Sequence, residues 1–318
     1  MLQMLLGVFS GVITPVQTAV NTRLGRSVGS PLRASMVSFS VGLLSMLAIV
    51  LITGPYPLLP DTAADGPWWM WFAGVFGVTF LTGNILLLPR LGSLKAVIMP
   101  VMGQIAMGLL IDAFGWFGAQ RLAISPLRAC GTVLALVGFL LAVVGANQRS
   151  ESRDRAGVGA RIDSKDSNSA ISTTLWSLAG VMFGMCSAIQ TALLGKLGVS
   201  LGSLAKASLV SFAVGLASLA IVVGLVDRTY SIGTALEKGN PWLMWVGGLL
   251  GATLVMCNAY LSSAIGTGMT VMLVLLGQVG GGLAVDRFGL LGVPRKHVRA
   301  VQYVGVLLAA AGIVLKAL

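Results

Sequence analysis

Ten stretches of mostly apolar residues follow one another along the chain, separated by short polar segments. In the first half they lie near 3–21, 34–53, 67–88, 95–112 and 127–146. In the second half they lie near 173–192, 206–226, 241–262, 268–286 and 300–317. About 20 apolar residues suffice for a helix to cross the roughly 30 Å of bilayer hydrocarbon. The pattern therefore predicts an all-α integral membrane protein with ten transmembrane helices.

One long polar stretch interrupts this series. Residues 147–171 are rich in serine and mixed charges and hold almost no large apolar side chains. Such a composition buries too little apolar surface to fold, so we expect a disordered, charged linker. The linker separates a first five-helix unit, 1–146, from a second unit, 172–318.

The two units repeat one another with an offset of 173 or 174 residues. GSPLRASMVSFSVGL (29–43) matches GSLAKASLVSFAVGL (202–216) at ten of fifteen positions. Two further pairs are PWWMW (67–71) with PWLMW (241–245), and GQIAMGLLID (103–112) with GQVGGGLAVD (277–286). Chance does not produce such a series, so the sequence predicts an internal duplication.

The odd number of helices in each unit has a topological consequence. Two homologous units of five spans must enter the membrane in opposite orientations, which makes them inverted repeats. In that arrangement 16 of the 21 lysines and arginines fall on the side that holds the linker, and five fall on the other. Because basic residues are enriched in cytoplasmic loops, we predict a cytoplasmic linker and both termini outside.

Composition narrows the classes of function. The chain is 56% hydrophobic and 10% charged, whereas soluble domains are about a quarter charged. Its net charge of +11 is explained by the positive-inside rule, so we predict no nucleic-acid partner. Three scattered cysteines and one histidine have no metal-ligand spacing. We therefore predict no metal and no cofactor and, without a nucleophile–base pair, no enzyme.

Amide side chains within the apolar segments are the main candidates for a site. They form three pairs related by the repeat: Gln104 and Gln278, Asn84 and Asn258, Gln17 and Gln190. An amide is costly in hydrocarbon unless it is hydrogen-bonded, so it should face other helices or a wet cavity. Hydrogen bonds between helices and the lining of a solute path remain equal alternatives for Gln104 and Gln278. For Gln17 and Gln190, nearer a helix end, hydrogen bonding between helices or the anchoring of a loop is favoured.

A repeated stripe connects the glutamines to acids. Gln104, Gly108 and Asp112 are spaced by four, and Gln278, Gly282 and Asp286 repeat the spacing, so each set shares a helix face. The acid lies about 12 Å beyond the glutamine, so an acid at the membrane boundary places the glutamine near the midplane. Asp112 and Asp286 are interpreted either as interfacial acids beside Arg121 or Arg287, or as gate or proton sites.

Small residues form a second repeated face, on the second and seventh segments. Their spacing of three, four and three favours close packing between helices. The two sets are Ser35, Ser38, Gly42 and Ser45, and Ser208, Ser211, Gly215 and Ser218.

Several of these motifs together resemble a known family. QTAVNTRLG, GSPLRASMVSFSVGL, PWWMW and the D-x-FG-xxG-xxR run at 112–121 are similar to the YdcZ-type family. These are small bacterial inner-membrane proteins of the drug/metabolite transporter superfamily. The resemblance implies helices one to four of each half around a central cavity, with the fifth supporting association. It implies no substrate and no binding residues, and the helix-one acid of the small multidrug branch is missing here.

The sequence thus predicts a secondary transporter for a small organic metabolite or drug-like solute. Inverted repeats suit alternating access, with export as the expected direction from the family resemblance. A passive channel and a non-transporting scaffold or accessory subunit remain alternatives. The expected partners are the solute and the lipid bilayer, with a homo-oligomer as a further option.

Overall fold

A computed structural model of the protein describes residues 2–54, 66–122, 125–157, 167–233, 242–288 and 298–317. Regular structure in these ranges is helical only. The α-helices are α1 (Leu2–Val28), α2 (Pro31–Thr53), α3 (Ala73–Phe114), α4 (Pro126–Gly157), α5 (Ser167–Ser200), α6 (Leu204–Val226), α7 (Gly247–Ile265), α8 (Thr267–Phe288) and α9 (Ala300–Ala317). Nine helical stretches of the described chain are long and apolar enough to span a membrane. The prediction of an all-α membrane protein is confirmed.

Helix α3 covers most of the predicted segment 67–88 and all of the next one, 95–112. Its helical assignment is continuous over 42 residues, after a short 3-10 helix at Trp68–Phe72. Yet Leu87 and Met99 both pack against Gly180 of α5. Twelve residues of straight helix would separate them by about 18 Å, so the chain reverses direction between them. Helix α3 therefore has a first arm, 73–87, and a second arm, 99–114.

The second half makes the same reversal with a visible break. Helices α7 and α8 are separated by Gly266, which has a positive φ of 86°. Leu261 of α7 and Leu273 of α8 both pack against Gly7 of α1. The pair α7 and α8 therefore corresponds to the two arms of α3, and α1 corresponds to α5.

Equivalent helices of the two halves make equivalent contacts with the other helices of the bundle. Helix α1 packs against α7 and α8, while α5 packs against both arms of α3. Helix α2 packs against α6, where the rings of Phe39 and Phe212 meet edge to face with centroids 5.2 Å apart. Phe212 covers Gly42 and Phe39 covers Gly215, two positions related by the repeat. The small-residue faces thus admit an aromatic ring from the other half, which confirms the packing prediction.

Helices α4 and α9 pack through glycines. A Cβ at Gly131 would lie 2.6 Å from the carbonyl oxygen of Gly312, and one at Gly138 would lie 2.6 Å from that of Gly305. The residue order is reversed between the partners, so the two helices run antiparallel. Such close approach gives dispersion contacts where lipid supplies no hydrophobic drive between helices.

The repeated Gly-Ser pair has a structural cause at the start of α2 and α6. Gly29 and Gly202 have positive φ values of 76° and 61°, which glycine adopts without steric cost. Ser30 and Ser203 follow and cap the helices, since each hydroxyl accepts a hydrogen bond from the backbone N–H three residues on.

The charged segment between the halves is only partly described. Helix α4 continues to Gly157 and α5 begins at Ser167, while residues 158–166 lie outside the described residues. Disorder over 147–171 stays a prediction.

Candidate functional site

The interface between the halves contains two equivalent glutamines. Gln17 of α1 lies over Gly251 of α7, and Gln190 of α5 lies over Gly77 of α3. In each case the amide nitrogen approaches the glycine more closely than any other atom of the glutamine. A Cβ on either glycine would clash with the amide, so glycine makes room for a polar group between the halves.

Polar groups continue along α1 on the same face. Thr14 and Asn21 are spaced three and four residues from Gln17. The Asn21 side-chain oxygen lies over Gly247, one turn before Gly251 on α7. The repeat equivalent of Asn21 is the buried Leu194, so this part of the polar face belongs to the first half only.

Several polar atoms at this interface are buried without a hydrogen-bond partner in the described protein. An unsatisfied buried polar group costs about 1–3 kcal/mol. Such groups are therefore candidates for contact with water or a solute. On α1, α3 and α7 they are Thr14 Oγ1, Asn21 Oδ1, Thr82 Oγ1 and Asn258 Oδ1.

Gln104 and Gln278 are half-buried on helices that cross the interface. Their preceding residues, Gly103 and Gly277, pack tightly against α5 and α1 respectively. The antiparallel contact between α3 and α8 pairs Gly108 with Gly268. Continuing that register places the two glutamines about 9 Å apart along the helix axis, because six residues separate them at 1.5 Å each.

The glycines in the two repeated stripes have different surroundings. A Cβ at Gly108 would lie 3.0 Å from the Cα of Gly268, whereas one at Gly282 would meet no described atom within 4 Å. Among the described residues, free space therefore lies beside the glycine of the second stripe and not beside that of the first. Asn84 is half-buried on the first arm of α3.

Asp112 is buried, with 3% of its surface exposed, and joins the two halves. Its Oδ1 accepts a hydrogen bond from the Thr267 N–H at 2.8 Å, and its Oδ2 accepts one from the Gly268 N–H at 2.9 Å. These are the first two residues of α8. A carboxylate here satisfies N–H groups that lack intrahelical partners and favours the positive end of the helix.

Two cations accompany Asp112. Lys316 Nζ lies 3.9 Å from Asp112 Oδ2, beyond hydrogen-bond distance, and the lysine is 5% exposed. Arg128, at the start of α4, lies beside the same group. All three line a cavity of about 250 Å³. The sequence interpretation paired Asp112 with Arg121, but Arg121 does not line this cavity.

The first half has no lysine equivalent to Lys316. At the repeat offset of 174, which matches Gly131 with Gly305 and Gly138 with Gly312, Ala142 takes the position of Lys316. The side chain of Asp286 lies outside the described residues. The lysine therefore occurs at one end of the repeat only.

A second ion pair joins the halves elsewhere. Arg33 Nε lies 3.3 Å from Asp227 Oδ2, and Arg33 Nη1 donates a hydrogen bond to the Ser231 carbonyl at 2.7 Å. This pair connects the start of α2 to the residue after α6. Sequence reasoning missed it, and it missed the role of Lys316, whose signal is a single lysine within the apolar run 300–317.

Helices of spanning length with apolar outer faces, and polar groups turned toward the contact between halves, define a multi-pass membrane protein. The family model described as "Putative inner membrane exporter, YdcZ" matches residues 2–141 and again 175–315. The chain therefore belongs to the YdcZ family of the drug/metabolite transporter superfamily. This family is of inner-membrane proteins, and its description supports a transporter and not an enzyme.

A curated relative and a solved structure are similar to the chain. Inner membrane protein YdcZ of Escherichia coli (strain K12) is 24% identical over 137 residues, which cover 42% of this chain and 88% of that protein. A solved structure described as "Crystal structure of protein" superposes with a TM-score of 0.61 at 13% identity, over 99% of this chain and 96% of that chain. At this identity the structure supports the fold alone.

Proposed function

We propose that the protein is a secondary transporter that exports a small organic solute by alternating access between two inverted five-helix repeats. The observation that carries the proposal is the exchange of equivalent contacts: α1 packs on α7 and α8, as α5 packs on both arms of α3. Such an interface lets one repeat rock against the other around a shared site. The family description as an exporter supports the direction.

Helix directions support the inversion. Along α5, contacts run antiparallel to the first arm of α3 and return along the second arm. If consecutive spans alternate in direction, α5 then points opposite to α1, its equivalent. The two arms of α3 count as separate spans in this topology, which gives ten. The excess of basic residues on the linker side, 16 against five, favours a cytoplasmic linker and external termini.

The proposed solute path follows the polar groups between the halves. Gln104, Gln278, Asn84, Asn258, Gln17 and Gln190 line it. Unpaired buried oxygens on α1 and α7 and the open space beside Gly282 support this assignment. Asp112 closes the outer end by holding the start of α8, and Asp286 occupies the equivalent inner position.

Reporter fusions test the topology. Alkaline phosphatase, which folds only outside the cytoplasm, should be active when fused after Leu318 and inactive when inserted at Gly159 in the linker. A cytoplasm-active reporter at the same two sites should give the reverse pattern and serves as the control. An inactive phosphatase after Leu318, in a fusion that is expressed normally, would contradict the inverted ten-span arrangement.

Transport in proteoliposomes tests the function and the path. We expect saturable counterflow of at least one solute from a broad metabolite panel. Gln104→Ala and Gln278→Ala should each reduce that flux by about tenfold, because a lost buried hydrogen bond to a solute is worth about 1–1.5 kcal/mol. Leu110→Ala, at a partly exposed position of α3, is the matched control.

The outcomes separate the alternatives. Electrical current without saturable counterflow would favour a channel. Unchanged transport in both glutamine variants would assign these amides to helix packing. Absence of flux across the whole panel would contradict the carrier.

A further inference from the structure

We infer that the cavity beside Asp112 and Lys316 binds a small organic anion, a carboxylate carried on a short apolar chain. The site lies at one end of the bundle, away from the amides of the proposed path. Binding there requires no transport, so the inference goes beyond the proposed function. The lining residues include Met4, Leu109, Asp112, Arg128, Met269 and Lys316.

Charge is the first argument. Two cations, Lys316 and Arg128, line the cavity together with one acid, Asp112. Both oxygens of Asp112 already accept backbone N–H groups at the start of α8. The dipole of α8 adds further positive potential at the same place. The cavity therefore favours an anion and disfavours a cation.

Lys316 provides the second, independent argument. Its ammonium group is buried and has no hydrogen-bond partner in the described protein. The nearest carboxylate oxygen, on Asp112, is 3.9 Å away, which is too far for a hydrogen bond. A buried ammonium with unused donors is strongly unfavourable, and an anionic oxygen placed in the cavity would accept from it.

The rest of the cavity lining determines which kind of group the anionic end of the ligand is attached to. Apolar side chains from α1, α3 and α8, including Met4, Leu109 and Met269, form most of the wall. The volume of about 250 Å³ holds about eight water-sized groups at roughly 30 Å³ each. A six-carbon carboxylate has eight heavy atoms. A highly polar dianion would leave the apolar wall without a partner.

Binding would connect the halves. Asp112 and Arg128 belong to the first half, while Lys316 and the start of α8 belong to the second. An anion held by Arg128 and Lys316 contacts both, so it stabilises the closed contact at this end. Bound ligand should therefore raise the thermal stability of the protein by mass action.

The test uses the full chain in nanodiscs of phosphatidylcholine, with hexanoate as the probe. We expect saturable binding of hexanoate by calorimetry and a rise in apparent Tm. Hexanamide and hexylamine, which match its size without its negative charge, should bind at least tenfold more weakly. Lys316→Met should weaken hexanoate binding at least tenfold, while Arg121→Gln, an exposed arginine outside the lining, should leave it unchanged.

A second variant distinguishes the loss of the binding site from a misfolded Lys316→Met variant. Leu109→Trp fills the cavity while keeping Lys316, and it should also abolish binding. Equal hexanoate binding by the native chain, Lys316→Met and Leu109→Trp, or equal binding of hexanamide, would overturn the inference. So would the absence of hexanoate binding both with and without acidic lipid.

A further arm distinguishes the source of the anion. Nanodiscs that contain phosphatidylglycerol offer the same chemistry as a lipid headgroup. If this lipid displaces hexanoate from the native chain and not from Lys316→Met, the site exists and lipid is one occupant. Binding without flux in proteoliposomes would contradict the transporter but not this site.

Discussion

Asp112→Asn is expected to lower the free energy of unfolding by about 3–5 kcal/mol, the cost of leaving one charge of a buried pair without its partner. Asparagine keeps the shape of the side chain and one acceptor oxygen. It loses the negative charge beside Lys316, and it directs an N–H₂ group toward the N–H groups of α8. The measurement is unfolding of the purified chain in mixed detergent micelles.

The double variant Asp112→Asn/Lys316→Met provides the control. Removing both charges removes the unpaired ammonium, so we expect it to recover more than half of the lost stability. Asp227→Asn breaks the other pair between the halves, with Arg33, where both side chains are 16% exposed. That partly solvated pair should contribute about 1 kcal/mol or less. Equal, small losses in Asp112→Asn and Asp227→Asn would show that Asp112 has no special structural role.

The positions of the helices followed from the sequence because apolar runs of spanning length have few other stable environments. The sequence did not predict the residues at which the helices begin and end. The apolar segment 3–21 predicts the span, but α1 continues to Val28 through Arg23 and Arg26. Hydropathy reports where side chains meet lipid, whereas the helix continues as long as its backbone hydrogen bonds are satisfied.

The repeat predicted equivalent residues but not their partners. The pairing of Gln17 with Gly251, and of Gln190 with Gly77, depends on how the halves face one another. Each glycine makes room for a side chain that lies far away in sequence. The sequence alone shows which positions of the two halves are equivalent. It does not show which of those positions are in contact.

The hydrogen-bond and ion-pair partners of Asp112 could not be predicted from the sequence for the same reason. Its interpretation as an interfacial acid came from its place at the end of an apolar segment. The structure brings the ends of α3, α8 and α9 together and buries the carboxylate. Thr267 and Gly268 contribute backbone N–H groups, which no side-chain pattern can reveal.

Gly277→Val should be as damaging as the loss of Asp112's charge, and Gly103→Val should be equally so. A Cβ at Gly277 would lie 2.9 Å from the Cα of Gly11 and would clash with the Val8 carbonyl oxygen. A Cβ at Gly103 would lie 3.0 Å from the Met185 backbone nitrogen and would clash with the Val181 carbonyl oxygen. Backbone atoms of a packed helix cannot rotate away, so each variant should lose about 3 kcal/mol, the upper part of the range for overpacking.

Gly280→Val is the matched control on α8, because a Cβ there would meet no described atom within 4 Å. It should change the stability by less than about 1 kcal/mol, because valine has no lower helix propensity than glycine and meets no described neighbour at this position. The same unfolding assay measures all three variants. Gly103 and Gly277 are equivalent in the repeat, and each packs on the helix that corresponds to the other's partner. A large loss at one of them with a negligible loss at the other would contradict the structural equivalence of the halves, and with it the basis for alternating access.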